Sequence, residues 1–356
     1  MSTSEHLESR IRNAWLGRIS GCMLGKAVEL FSMREGHDAL TRYLQQVNAL
    51  PLRGYIPFDP DHASSLIYTP CCKDHLHASA ADDDINYSVL ALILLETHGK
   101  LLKTEDVARS WLKYLPLAST FTAERAAYKT LLSKGKEWFP EGSEPGFDIL
   151  QCADNPYNDW IGAQIRADVY GWVCPGNPDL AAHLATTDAQ LSHQSDGIYG
   201  AVVIAVMGAL LANGSSMTDA VDQALTFIPA DSNCSRVIAQ AKSLADSADG
   251  GHQIRETFPD MSVVHTVNNL GLVIWALLRY PDDFDAAVGD VVAAGLDTDC
   301  NGATVGALWA LQGKSIPAHW YEPWQGKVGV SLAGMAQLDL EDLVQRTVKV
   351  ADKLKV

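Results

Sequence analysis

Apolar residues recur every three or four positions along most of this chain, and that period constrains the fold more than any other feature of the sequence. In the first stretch the spaced apolar residues are Leu7, Ile11, Trp15 and Ile19. Such spacing places apolar side chains along one face of an α-helix. Runs of alternating β-branched residues are lacking, and the strand candidates are confined to 51–70. The sequence therefore predicts an all-α fold.

The same period predicts helices throughout the rest of the chain. Two of them, 84–96 and 104–114, begin with acidic residues, which interact favourably with the positive N-terminal end of a helix. The other predicted helices cover 161–172, 178–189, 197–212, 217–228, 233–247, 263–279, 283–295, 301–312 and 338–354.

Two irregular inserts, near 51–80 and 139–160, interrupt the helical pattern with several prolines and glycines. Segments of this length without regular structure are uncommon inside a domain and are often functional. We therefore expect the inserts to border a binding site. Because no linker separates the helical stretches, we predict that residues 1–356 form a single domain.

The chain is acidic, since 43 Asp and Glu residues outnumber 27 Lys and Arg residues and the net charge is −16. This charge argues against a nucleic-acid surface, which needs a basic footprint. The longest apolar run, 198–212, is shorter than the roughly 20 residues of a membrane span, and residues 1–12 lack the apolar core of a secretory signal. Seven irregularly spaced cysteines are typical of a reducing compartment. We expect a cytoplasmic protein that binds neither nucleic acid nor membranes.

Two acidic clusters stand immediately before apolar helical stretches. The first runs from Asp82 to Asp84, and the second contains Asp297 and Asp299. One aspartate is enough to cap a helix, with a contribution of about 1 kcal/mol, so capping explains each cluster only in part. Neighbouring like charges are unfavourable unless a cation or a proton neutralises them. Together the clusters indicate a divalent cation held by oxygen, Mg²⁺ or Mn²⁺ rather than Zn²⁺.

Gly17, Gly21 and Gly25 stand four residues apart on one predicted helix, and Glu29 follows them. Glycine lowers helix propensity, so this spacing predicts that another helix packs closely on the glycine face. Glu29 is open to two interpretations, a carboxylate of the site or a solvated helix end.

Taken together, these segments resemble the ADP-ribosylglycohydrolase family, which includes dinitrogenase reductase-activating glycohydrolase and ADP-ribosylarginine hydrolase. That family has a Gly-rich helix ending in Glu, then Thr-Asp-Asp-Thr, and near the C-terminus Gly-x-Asp-Thr-Asp-Thr/Ser-Asn. The matching segments here are 17–29, 81–84 and 295–301, with weaker matches at 162–166 and 192–193. Each match is weak alone, but their common order is specific.

The resemblance implies a single-domain orthogonal array of helices around a site for two Mg²⁺ ions, with Mn²⁺ as the alternative. It implies Glu29 and Asp83 as catalytic carboxylates, with Glu29 positioning or deprotonating a water molecule. By position the implied metal ligands are Asp82, Asp83, Asp297 and Asp299, and Asp84 and Cys300 are candidate ligands beside them.

Several positions depart from the family motifs. Ala81 replaces the first Thr of Thr-Asp-Asp-Thr, and Asp84 replaces the last. Cys22 stands where the family has an Asp, and Cys300 stands where it has a hydroxyl residue. Because sulfur is a soft ligand that suits Mg²⁺ poorly, we expect one metal position to be weakened or altered.

The resemblance also implies a substrate-binding wall. For Arg166 two interpretations remain open, contact with a ligand phosphate or pairing with the acids of the chain, and for His193 the alternative is a structural role. The implied substrate-binding residues are Asn155, Asn158, Trp160, Gly162, Ala163, Arg166 and His193.

The function that the resemblance implies is Mg²⁺-dependent hydrolysis of a ribose-linked N- or O-glycosidic bond, through an oxocarbenium-like transition state. The expected substrate is an ADP-ribosylated side chain of a protein or a small ADP-ribose conjugate. One alternative is a small nucleoside or N-riboside, and another is a non-catalytic relative that binds ADP-ribose. We expect a monomer or a small homo-oligomer.

Overall fold

The apolar period of the sequence produces helices along most of the chain. This computed structural model describes residues 3–62 and 64–355. Within these residues the helices are α1 Thr3–Lys26, α2 Glu29–Glu35, α3 His37–Gln46, α4 Asp83–His98, α5 Thr104–Tyr114, α6 Thr122–Lys134, α7 Asp168–Trp172, α8 Pro178–Ala189, α9 Asp196–Ala212, α10 Met217–Ala224, α11 Asn233–Ser243, α12 Gly250–Thr257, α13 Thr266–Arg279, α14 Phe284–Ala293, α15 Thr298–Ala310 and α16 Leu340–Leu354. Two short strands, β1 Lys327–Gly329 and β2 Gln337–Asp339, pair antiparallel. The prediction of an all-α fold is confirmed.

Most predicted helices lie within a few residues of the observed ones, and 104–114 and 178–189 agree with α5 and α8 at both ends. Three differences stand out. Segment 161–172 forms a 3₁₀ turn before the short α7, the strands lie outside 51–70, and α2, α3, α6 and α12 are not predicted by the apolar period.

Helix α12 shows why the apolar period misses an element. It begins with Gly250 and Gly251, which lower its helix propensity. A Cβ atom built at Gly251 would lie 3.2 Å from the indole ring of Trp275 in α13. The helix therefore forms where a tryptophan from a distant segment packs on its glycines, and a local pattern does not contain that information.

The apolar run 198–212 lies in α9, whose residues are almost all buried. This helix packs against α7, α8, α10 and α13 in the interior. In the described part of the chain, no helix combines the length and the apolar character that a membrane span requires.

Helices α1 and α15 pack backbone against backbone at the centre of the fold. A Cβ atom built at Gly17 would lie 2.1 Å from the carbonyl oxygen of Gly306, and one at Gly21 would lie 2.0 Å from that of Gly302. No side chain fits at such distances, so glycine on both helices permits the contact. The predicted close approach of a second helix is confirmed.

The same contact continues to the end of α1 and positions the second acidic cluster. A Cβ atom at Gly25 would lie 2.1 Å from the carbonyl oxygen of Thr298, and the hydroxyl of Thr298 donates a hydrogen bond of 2.8 Å to the carbonyl of Gly25. Because Thr298 stands between Asp297 and Asp299, both aspartates are held against the C-terminal end of α1.

We predict that Gly21→Ala lowers the free energy of unfolding by about 1–3 kcal/mol, because the added methyl group forces the two backbones apart. Urea denaturation followed by circular dichroism measures the change. Gly54→Ala is the control, since a Cβ atom there meets no heavy atom of the described residues within 4 Å. Equal stability of the two variants would contradict the packing role of Gly21.

Candidate active site

A cavity of about 570 Å³ opens where the C-terminal end of α1 meets the N-terminal ends of α2, α4, α6 and α15. A cavity of this size accommodates a small organic ligand. Its acidic lining residues are Glu29, Asp82, Asp83, Glu124, Asp297 and Asp299. Its apolar and aromatic lining includes Leu30, Met33, Tyr68, Phe121, Ile161 and Val264.

Asp82 is the N-cap of α4 and has partners on both carboxylate oxygens. Its Oδ1 accepts a hydrogen bond of 2.9 Å from the backbone N–H of Asp84, and its Oδ2 accepts one of 2.5 Å from Nζ of Lys26. Burial alone would raise the pKa of Asp82, but the Lys26 ammonium and the N–H of Asp84 hold that pKa below its usual range. Asp82 is therefore an ionised carboxylate in a buried ion pair.

Arg18 lies fully buried beneath the start of α4 and orients Asp84. It donates to Oδ1 of Asp84 at 3.1 Å, to Oδ2 of Asp168 at 2.9 Å and to the hydroxyl of Ser88 at 2.6 Å. The other carboxylate oxygen of Asp84 is buried and has no hydrogen-bond partner. Arg18 thus fixes one oxygen of Asp84 and leaves the second free to bind a cation.

A strained turn places the second acidic cluster. Gly295 and Leu296 both have positive φ, at 84° and 61°. This conformation is unfavourable for leucine and is retained only where the surrounding structure enforces it. The hydroxyl of Ser32 in α2 donates a hydrogen bond of 2.9 Å to the Leu296 carbonyl. The turn reverses the chain just before Asp297 and directs the start of α15 toward the cavity.

Asn269 of α13 holds this second cluster in place, and no sequence motif predicts that role. Its Oδ1 accepts from the backbone N–H of Asp297 at 3.2 Å and from the side-chain amide of Asn301 at 2.7 Å. Its own amide donates to the carbonyl of His265 at 2.8 Å. The available signal is the pair Asn268 and Asn269 inside an otherwise apolar helix.

The acidic residues form two ends of one cluster. We call Cys22, Asp82 and Asp84 the Asp82 end, and Glu29, Asp297 and Asp299 the Asp299 end. Within each end the ligand atoms lie within 4.8 Å of one another, and Asp84, Asp299 and Cys300 form a third such group between them.

Three buried oxygens at this cluster have no hydrogen-bond partner: Oδ2 of Asp84, Oδ1 of Asp299 and Oδ1 of Asn301. Leaving a buried polar atom unpaired is costly, so such atoms point to a missing ligand. Carboxylate and amide oxygens are the donors that hard divalent cations prefer. The arrangement therefore fits a divalent cation.

Burial and mutual repulsion raise the pKa of most carboxyl groups in the cluster. The pKa of Asp299 rises to about 6, and that of Glu29 to about 10, in both cases first through burial and then through neighbouring carboxylates. The pKa values of Asp84 and Asp297 also rise well above their usual range. Without a cation the cluster therefore retains protons near neutral pH.

The two cysteines of the cluster remain neutral thiols. Burial, followed by nearby carboxylates, raises the pKa of Cys22 and Cys300 well above the usual range. A neutral thiol is a weak ligand for a hard cation and a weak hydrogen-bond donor.

The structure brings the sequence-predicted acids together and separates most of the predicted substrate-binding residues from the cavity. Glu29, Asp82, Asp83, Asp297, Asp299 and Cys300 all line it, and Asp84 lies directly behind them. Among the predicted substrate-binding residues, Gly162 lines the cavity and Ala163 is buried next to Gly162.

Asn155 and Asn158 shape the loop beside the cavity. The Asn155 amide donates to the carbonyls of Cys152 and Ser192, at 3.2 and 2.9 Å, and the Asn158 amide donates to that of Ala153 at 3.2 Å. Both side chains thus stabilise the backbone around this loop by hydrogen bonds to its carbonyl groups.

Trp160 packs edge-on against Tyr157, with 4.7 Å between the ring centroids. A single β-bridge joins Trp160 to His265, so this residue ties the loop to the segment before α13. Neither Trp160 nor Tyr157 is among the residues that line the cavity.

Arg166 is buried and pairs with the acids of the chain, which is one of the two interpretations left open by the sequence. It donates to Glu124 at 2.6 Å and to the Ser192 hydroxyl at 2.8 Å, and it forms a second ion pair with Asp188. His193 is buried beside it, with Nδ1 at 2.8 Å from the Ser192 hydroxyl. Burial, followed by the charge of Arg166, lowers the pKa of His193 well below its usual range.

Glu124 lines the cavity but is not predicted from the sequence, because the apolar period does not predict α6. Arg166 holds its carboxylate from behind. A Cβ atom built at Gly162 would lie 2.0 Å from Oε1 of Glu124, so glycine is required at 162 to leave room for this carboxylate. The cavity lining therefore includes a further buried carboxylate, outside the acidic cluster and paired with Arg166.

The ADP-ribosylglycohydrolase family model matches residues 3–354. The chain belongs to the ADP-ribosylglycohydrolase family. It is therefore a hydrolase of the glycosidase class, in a family that generally uses divalent metal ions.

A solved structure described as an "ADP-ribosylglycohydrolase-related protein complex" is similar over 99% of this chain and 100% of that chain, with a TM-score of 0.61 and 17% identity. At this identity the likeness shows the shared fold alone. No curated protein matches the sequence.

We predict that Mg²⁺ or Mn²⁺ raises the melting temperature relative to EDTA, with a gain of about 2.7 kcal/mol at a concentration 100-fold above the dissociation constant. In EDTA, a carboxyl group with a raised folded-state pKa loses its stabilising contribution as the pH rises through that pKa, which is about 6 for Asp299. The gain from metal should therefore grow from about pH 5 to about pH 8.

Differential scanning calorimetry at several pH values measures this effect. Asp297→Asn should reduce the metal-dependent shift, whereas the exposed control Asp231→Asn should retain it. Equal melting temperatures with metal and with EDTA at every pH would contradict a cation site in the cluster.

Proposed function

We propose that this chain hydrolyses the N- or O-glycosidic bond at the anomeric carbon of ribose in an ADP-ribosylated side chain or an ADP-ribose conjugate, with Mg²⁺ or Mn²⁺ at the acidic cluster. The observation that carries the proposal is the convergence of carboxylates from several helix N-termini on one cavity that also has an apolar and aromatic wall. Family membership supplies the reaction class.

A divalent cation at such a cluster supplies orientation of the ribose diol and a water molecule of lowered pKa. The chain itself supplies the carboxylates that handle protons. Glu29 begins α2, lines the cavity, and has a side chain that is 23% exposed. Asp83 is half-buried and lines the same cavity.

The ionisation of Glu29 explains why activity should depend on metal. A general base must be deprotonated, yet the pKa of Glu29 rises to about 10 through burial and the charges of Asp299 and Asp82. Positive charge nearby lowers a carboxyl pKa. Glu29 is therefore more readily ionised when a cation offsets the repulsion from these aspartates.

The rim of the cavity suits a flat, partly apolar group such as a nucleobase. Tyr68, Phe121 and Leu30 line the cavity and are 41%, 52% and 42% exposed. Aromatic faces of this kind stack on bases with a gain of about 1–3 kcal/mol.

A small nucleoside or N-riboside is the second candidate substrate, and one observation favours it. Lys26 is the one basic side chain among the described residues that line the cavity, and it is paired with Asp82. A pyrophosphate group entering this cavity would therefore have to rely on neutral donors such as Ser119, Thr122 and Ser331.

Turnover assays test the proposal. The substrates are ADP-ribosyl-arginine, ADP-ribosyl-serine and simple N-ribosides, each assayed with Mg²⁺ and with EDTA. Release of the acceptor from either ADP-ribosyl substrate supports the first candidate. Turnover of ribosides alone supports the second. Tight ADP-ribose binding without turnover of any substrate would overturn both in favour of a non-catalytic relative.

We predict that Glu29→Gln lowers kcat by roughly 10²–10⁴ while metal binding persists, because the amide cannot accept the proton that a general base removes. Asp299→Ala should lose metal binding and activity together. Steady-state kinetics and isothermal titration with Mn²⁺ separate the two effects. Glu35→Gln, at the exposed other end of α2, is the matched control. Normal turnover by Glu29→Gln would show that Glu29 is a structural helix end.

We predict that Cys300→Ser keeps activity and binds Mg²⁺ more tightly, because a hydroxyl oxygen replaces a neutral thiol between Asp84 and Asp299. Activation curves with Mg²⁺ and Mn²⁺ for the wild type, Cys300→Ser and Cys300→Ala make the comparison. Loss of activity with both metals in Cys300→Ser would reveal a specific role of the sulfur.

A further inference from the structure

Lys26 places a positive charge inside the acidic cluster. Its Nζ lies 2.5 Å from Oδ2 of Asp82 and 4.0 Å from Oε2 of Glu29. The shorter distance is that of a strong charge-assisted hydrogen bond. The Lys26 side chain is 17% exposed and that of Asp82 is 1% exposed, so the pair is largely removed from water.

We infer that the Lys26 ammonium takes the place of one of two divalent cations, so that the chain binds a single divalent ion, at the Asp299 end of the cluster. The inference rests on the proposed function only in assuming that the cluster binds a divalent cation. It concerns the number of ions and their position.

The Asp82 end has few free donors. Both oxygens of Asp82 are occupied, by Lys26 and by the backbone N–H of Asp84. One oxygen of Asp84 is bound by Arg18, and Cys22 contributes a thiol. The neighbouring position 81 is an alanine, which has no side-chain oxygen. A divalent ion at this end would meet one unpartnered carboxylate oxygen and two cationic side chains.

The Asp299 end has the opposite character. Glu29, Asp297 and Asp299 bring their oxygens within 4.8 Å of one another. Oδ1 of Asp299 and Oδ1 of Asn301 are buried without a hydrogen-bond partner. In the described ranges, no Arg or Lys side chain comes within ion-pair distance of Asp297 or Asp299. The oxygens of Asp297, Asp299 and Asn301, with water, are sufficient for one hard cation.

The fold holds the ammonium in place from more than one side. Lys26 is the last residue of α1 and follows Gly25, which packs on the backbone of Thr298. The ammonium also lies 5.5 Å from the centroid of the Tyr68 ring, a cation–π distance. Its position is thus determined by the α1–α15 contact and by Tyr68 as well as by Asp82.

Metal stoichiometry tests the inference. Equilibrium dialysis of the full chain against Mn²⁺, followed by mass spectrometry of the metal, should give one ion per chain for the wild type. Lys26→Met should bind a second ion, because the substitution removes the charge and frees Oδ2 of Asp82. Lys26→Arg should remain at one. Lys242→Met, which removes an exposed ion pair with Asp222, is the matched control and should also remain at one.

Two bound ions in the wild type, or a single ion in well-folded Lys26→Met, would overturn the inference. If Lys26→Met does not fold, anomalous scattering from crystals of the wild type with Mn²⁺ decides. One peak beside Asp299, with Nζ of Lys26 still bonded to Asp82, supports it, whereas a peak between Asp82 and Asp84 refutes it.

Hydrolysis of ADP-ribosyl substrates and ribosides by the same wild-type sample separates this inference from the proposed function. One bound ion without any turnover would refute the function and leave the single-ion site standing. Two bound ions with turnover would refute the single-ion site and leave the function standing.

Discussion

The backbone contact between α1 and α15 is the constraint on which the acidic site depends. Gly17 and Gly21 allow the two helices to touch, and the contact continues through Gly25 to Thr298, between the two aspartates of the second cluster. A displacement of either helix would separate Lys26 at the end of α1 from the acids at the start of α15. Packing in the interior thus determines where the charged side chains lie at the cavity.

The concentration of buried acids requires compensation, and the chain supplies part of it. Arg18 neutralises Asp84 and Asp168 from below, and Lys26 neutralises Asp82 at the cavity. Asp297 and Asp299 have no Lys or Arg ion-pair partner among the described residues, and burial and mutual repulsion raise the pKa of both carboxyl groups. The cluster is therefore asymmetric, with protein cations at one end and oxygens available for metal at the other.

A second buried ion network supports the part of the cavity lining that contains Glu124. Arg166 joins Glu124 and Asp188, and Gly162 leaves the space that the Glu124 carboxylate occupies. Asn155, Asn158 and Arg166 make hydrogen bonds within the protein, whereas Gly162 and Glu124 line the cavity.

The sequence by itself determined the all-α fold, the family and the acidic residues of the cluster, because helical period and short motifs are local properties. Single-domain organisation remains a prediction. Tertiary structure decided what the carboxylates do: Asp82 pairs with Lys26, while Asp299 has an unpartnered oxygen. It also decided that Glu124 lines the cavity, whereas Arg166 lies behind it. The physical reason is that charge pairing and burial depend on which distant segments lie next to each other. The backbone contact of α1 with α15 determines this for Lys26 and the acidic residues at the start of α15.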